Sequence, residues 1–124
     1  MSKIMVVDDD KEFTTLYKEF LTMVGFEAIC ENHSSKAMDL ANATMPDLFL
    51  LDLMMPEPDG FKLCRMLRAN MNFVRTPIII VTALNDEDSR IVALGAGAND
   101  YLTKPFHIDE LKSRIITLLE RVSF

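Results

Sequence analysis

Two kinds of pattern alternate along the chain. Short segments rich in β-branched and aromatic residues read as strands: KIMVV (3–7), FEAIC (26–30), DLFLL (47–51), PIIIV (77–81) and DYLT (100–103). Charges or turn-formers bound each of them. The longer segments between them place apolar residues three and four apart. Phe13, Leu16, Tyr17, Phe20, Leu21 and Val24 form one helical stripe, which stops at Gly25. Ile108, Leu111, Ile115, Leu118, Leu119 and Val122 form a second. Ala37, Leu40 and Ala41 follow HSS, a helix-capping composition, and Phe61, Cys64, Leu67 and Met71 follow the PEPDG turn. Residues 85–94 open with NDED, a helix-start composition, and end at Gly95.

The order is therefore strand then helix, five times over. Strands that are apolar throughout, with little alternation, are buried on both faces, as in a parallel sheet covered by helices on both sides. The pattern predicts a doubly wound α/β domain of (βα)5 type spanning residues 1–124. No linker, repeat or second module is visible.

In such a sheet, ligands sit outside the carboxyl ends of the strands. The polar residues there form a short roster: Asp8, Asp9 and Asp10 after the first strand, Asp52 after the third, Thr82 at the end of the fourth, and Lys104-Pro105 after the fifth. Asp52 is the only charge in LFLLDLMMP (48–56), and a buried carboxylate is costly unless paired or used. Each residue alone has an ordinary explanation; Asp10, for instance, reads as a helix cap. Their coincidence on matching strand ends favours chemistry. Carboxylates gathered without His or Cys suit a hard cation, Mg²⁺ before Zn²⁺. With a lysine and a hydroxyl they are the parts of a phosphoryl-transfer site working through an aspartyl phosphate.

Composition narrows the classes. Apolar residues make up 49% of 124, enough for a real core, and no apolar run approaches the roughly 20 residues of a membrane helix. Thirteen Lys and Arg against 19 Asp and Glu leave a net charge of −6, which argues against nucleic-acid binding by this chain. MSKIMVVDDD is no secretory signal, and Cys30 and Cys64 read as reduced thiols, so a soluble cytoplasmic protein is expected. His33 and His107 lie near helix starts without ligand-like companions, and the nine Met need no cofactor to explain them.

The motifs IMVVDDD, PDLFLLDLMMPEPDGF, TPIIIVTAL and GANDYLTKPF, in this order and spacing, resemble the receiver domain of two-component response regulators, the CheY-like superfamily. The resemblance spans essentially the whole chain. It implies a flavodoxin-like sheet in the order 2-1-3-4-5 and a phosphoacceptor signalling switch, not a turnover enzyme. It implies Asp52 as phosphoacceptor, Mg²⁺ held by Asp8, Asp9, Asp52 and the Met54 carbonyl, and Lys104 on the phosphoryl oxygens, aimed by a cis bond at Pro105. Thr82 becomes the switch hydroxyl and Tyr101 the aromatic that moves with it. The phosphodonor is a sensor histidine kinase or phosphotransfer protein, and the response travels through the fourth helix, fifth strand and fifth helix to an output domain or partner. Arg90, Asp100, Glu110 and Arg114 match charges that cross-link dimers in OmpR/PhoB-type receivers, although Glu110 and Arg114 also suit an i, i+4 pair on one helix. Met54 and Leu84 flank the expected path of attacking water.

Two rivals stand beside this reading. A haloacid-dehalogenase-type phosphohydrolase also uses an aspartyl nucleophile, but it follows that residue at +2 with a proton-donating Asp where this chain has Met54, and its nucleophile follows the first strand. A degenerate receiver serving only for docking usually lacks an acid, the Thr or the Lys, all retained here. The chain fits both a single-domain regulator and the receiver portion of a longer one.

Overall fold

The computed structural model describes residues 1–122. The elements run β1 (Lys3–Val7), α1 (Lys11–Met23), β2 (Glu27–Glu31), a 3-10 turn (Ser34–Lys36), α2 (Ala37–Thr44), β3 (Leu48–Leu51), α3 (Gly60–Ala69), β4 (Ile78–Thr82), α4 (Glu87–Gly95), β5 (Asp100–Thr103) and α5 (Ile108–Val122). All five strands are parallel, in the order β2-β1-β3-β4-β5. This is the flavodoxin-like order that the resemblance implies. No helix among the described residues is long and apolar enough to cross a membrane.

Alternation along the buried strands sends neighbouring residues to opposite faces. Met5, Val7, Phe49, Leu51, Ile78 and Ile80 pack with Ala37, Ala41, Leu63, Leu67 and Ala93 from α2, α3 and α4. Ile4, Val6, Leu48, Leu50, Ile79 and Val81 pack with Tyr17, Phe20, Leu21, Leu111, Ile115 and Leu118 from α1 and α5. Strand runs without polar residues are thus the consequence of helices on both sides. Cys30 and Cys64 are free thiols; the Cys64 thiol donates to the Ala96 carbonyl and is pushed up in pKa by burial.

Three details of the helix stripes differ from the sequence expectation. Met71 is 92% exposed, because α3 ends at Ala69 and the chain turns extended at Asn70. Phe73 fills the core instead, edge-on to Phe49 with centroids 5.3 Å apart. Leu16 and Ile108 are more than half exposed and line an open groove between α1 and α5. The side chain of Val122 lies outside the described residues. HSS supplies no side-chain cap: Ser34 Oγ donates instead to the Pro56 carbonyl. Asp10 does cap α1, accepting from the amides of Glu12 and Phe13.

Candidate functional site

The parallel ladder brings four strand ends to one edge. Val7 pairs with Leu51, Leu51 with Ile80, and Thr82 with Thr103. Backbone bonds carry the pairing one step further: Asp52 N donates to the Val7 carbonyl and Lys104 N to the Thr82 carbonyl. Asp8, Asp52, Thr82 and Lys104 therefore meet at the carboxyl edge, although Asp8 and Lys104 stand 96 residues apart.

Lys104 Nζ donates to Asp8 Oδ2 at 2.7 Å and to Asp52 Oδ2 at 3.1 Å. Asp8 and Asp52 are buried and Asp9 is exposed, and the three offer carboxylate oxygens within 4.8 Å of one another. Asp8 Oδ1 accepts from Asp10 N, and Asp52 Oδ1 from Met54 N at 3.2 Å. Burial raises the Asp8 pKa above its ordinary value, and the Asp52 charge adds to this, against the pull of Lys104. Burial also presses on the Lys104 ammonium, but its contacts with Asp8 and Asp52 together outweigh this and hold its pKa up. One ammonium thus bridges two of the three carboxylates. The surplus negative charge and the all-oxygen donors fit a hard divalent cation.

The surroundings hold this geometry. Asn32 Nδ2 donates to the Asp8 carbonyl and to Thr14 Oγ1, both at 2.9 Å. Gly60 N donates to the Leu53 carbonyl, and a Cβ on Gly60 would run into the Asp52 carbonyl and lie 2.6 Å from Leu53 Cα. Only glycine lets α3 start this close to the backbone behind Asp52. The Lys104–Pro105 peptide is cis, as is Glu57–Pro58. Thr82 is fully buried, and its Oγ1 accepts from Leu84 N at 3.4 Å. The Tyr101 hydroxyl donates to the Leu84 carbonyl at 2.7 Å. Met54 carries its side chain outward, 57% exposed.

The four charges of the expected dimer face have partners within the chain. Arg114 meets Asp100 at 2.6 Å and Glu110 at 3.9 Å, and Arg90 meets Glu87 at 3.5 Å. Asn32, Phe13 and Gly60 have site contacts that sequence reasoning did not anticipate. PDGF placed a turn at Gly60, but nothing in a single sequence marks an Asn or Phe that meets its partner across the fold.

A family profile described as the response regulator receiver domain matches residues 4–116. Transcriptional regulatory protein CpxR of Escherichia coli (strain K12) is 44% identical over 121 residues, 98% of this chain and 50% of that protein. The chain spans about half the length of the relatives it matches. The Francisella response regulator 1452 receiver domain superposes with a TM-score of 0.90 at 36% identity, covering 98% of this chain and 99% of that one. The BeF3-activated N-terminal receiver domain of Klebsiella pneumoniae RstA gives 0.90 at 34% identity, over 95% and 98%. The family profile, the sequence relatives and the superposed receiver domains agree, and this chain belongs to the receiver domains of two-component response regulators.

Proposed function

We propose that Asp52 is the residue that accepts the phosphoryl group, from a sensor histidine kinase or a phosphotransfer protein. The observation that carries this is the Lys104 ammonium bridging Asp8 and Asp52 at the open edge of the sheet. An Asp52 carboxylate oxygen attacks phosphorus, the bond to the donor imidazole breaks, and the imidazole nitrogen keeps the electron pair. Lys104 stays on the phosphoryl oxygens as they gain a second contact. Asp8, Asp9 and Asp52, with the Met54 carbonyl, would hold Mg²⁺, which would supply positive charge against the phosphoryl oxygens.

The acyl phosphate adds about two negative charges beside Thr82. The Thr82 hydroxyl turns to donate to it, loosening its long bond from Leu84 N. The loop before α4 follows, and Tyr101, held to the Leu84 carbonyl, moves with it. The surface of α4, β5 and α5 changes for an output domain or protein partner. Water later attacks the acyl phosphate, so the domain promotes its own phosphorylation and dephosphorylation without turning over a separate substrate. This takes place in the cytoplasm, where free Cys30 and Cys64 stay reduced.

Arg90, Asp100, Glu110 and Arg114 join two activated copies by exchanging their intramolecular partners for intermolecular ones. Sedimentation with and without beryllofluoride reads this directly, and an unchanged mass on activation removes it. The phosphoacceptor assignment is tested with acetyl phosphate and Mg²⁺. Wild type gains one phosphoryl group and Asp52→Asn does not; equal labelling of both overturns it.

A further inference from the structure

The Lys104 ammonium has a third neighbour besides its two carboxylates. Its Nζ lies 4.1 Å from the centroid of the Phe13 ring, over the face. Phe13 stands in the first turn of α1, where its amide donates to Asp10 Oδ1 at 3.2 Å. The ring packs on Tyr17 one turn later, centroids 5.1 Å apart, and on Phe106, 6.2 Å away. Phe106 in turn stacks on Tyr17 at 6.1 Å. These three rings tie α1 to the loop that carries Lys104 and Pro105. DDDKEF is therefore one device: Asp8 binds the ammonium, and Asp10 caps the turn that sets the ring beneath it.

We propose that Phe13 is a positioning residue for phosphoryl transfer, holding the Lys104 ammonium against Asp8 and Asp52 with the negative face of its ring. The inference rests on the phosphoacceptor reading above. A lysine side chain has several free torsions, and two carboxylates alone leave its head free to slide between them. The ring supplies a third attraction on the same ammonium, and in a desolvated setting that attraction is at its strongest. The Lys104 side chain is only 14% exposed, so this condition holds. The ring also helps to keep water off the ammonium, leaving the N–H groups to the carboxylates. Leu or Met at position 13 would fill similar space but offer no quadrupole.

Phe13 also packs against the α1–α5 core, so the test must separate charge attraction from bulk. Mono-, di- and trifluorophenylalanine at position 13 keep the shape of the ring while draining its negative face. With acetyl phosphate and Mg²⁺, the phosphorylation rate should fall stepwise with each fluorine, reaching about tenfold at the trifluoro ring. The Lys104 side-chain methylene protons should keep an upfield ring-current shift through the series and lose it in Phe13→Leu. A flat rate across the fluorinated series overturns the inference, whether or not the leucine variant folds. Asp52→Asn runs in parallel. If it is labelled like wild type, the phosphoacceptor reading has failed; if it is inert while the series is flat, only the role of Phe13 has.

Discussion

The Tyr101 hydroxyl and the Leu84 carbonyl, 2.7 Å apart, join β5 to the loop two residues past Thr82. The Leu84 amide reaches back to Thr82 Oγ1 at 3.4 Å. Thr82, Leu84 and Tyr101 thus form one chain from the carboxyl edge toward α4, and its weakest link lies beside Thr82. Tyr101→Phe removes the strong link and keeps the ring. It should cost about 1 kcal/mol in urea denaturation and shift the amide resonances of residues 84 and 85. Unchanged stability with unmoved resonances would show that this bond does not hold the loop.

Arg68 is a second fastening, far from the acids. Its guanidinium donates to the carbonyls of Gly97 (2.9 Å), Phe73 (2.8 Å) and Thr76 (2.6 Å) and to Asn99 Oδ1 (2.8 Å). Asn99 Oδ1 also accepts from Ile78 N at the start of β4. Burial lowers the Arg68 pKa, but the group stays a cation at any working pH. Arg68→Met strands several acceptors at once and should cost about 3 kcal/mol, since each unmet buried group costs roughly 1–3 kcal/mol. Arg68→Lys should recover little of it, because an ammonium cannot reproduce the planar fork. Full recovery by lysine in denaturant titrations would reduce the role to charge alone.

The sheet was legible because parallel strands covered on both faces become uninterrupted apolar runs, and PIIIV admits few other readings. Helical stripes were less decisive. Spacing cannot distinguish Leu21 in the core from Leu16 on a groove wall, and nothing periodic announced Phe73, buried from a non-helical stretch. The site divides the same way. Asp8, Asp52, Thr82 and Lys104 were readable because each ends or follows a strand and the parallel topology collects strand ends. Phe13, Asn32 and Arg68 were not, because their roles depend on side chains meeting across elements distant in sequence. A position reports its own backbone; it says little about which partner its side chain will reach.

Met54 offers a test of the open side of Asp52. Its side chain is exposed while its amide donates to Asp52 Oδ1, so with the proposed phosphoryl group on Asp52 the thioether would serve as an apolar screen. Met54→Asn replaces the screen with an amide that can orient water. The phosphoryl lifetime should shorten, read as phosphate release after the donor is removed. An equal or longer lifetime removes the screening role.

Asp8 gives the pH prediction, with the opposite sign to a salt-bridged surface acid. Burial holds its folded pKa above the ordinary 3.8. The folded state therefore binds a proton there before the unfolded chain does, and charged Asp8 opposes folding at neutral pH. This cost fades as pH falls through the folded pKa and is gone below 3.8. Asp8→Asn keeps an oxygen for Asp10 N, leaves Lys104 its bond to Asp52 and removes the charge. Without divalent cation, the variant should be more stable than wild type at neutral pH, with the advantage shrinking as pH approaches 3.8. Mg²⁺ should then stabilise wild type and leave the variant unmoved, the trade of stability for function expected of a charged site. A variant less stable than wild type at neutral pH would mean that Lys104 repays the burial of Asp8 in full.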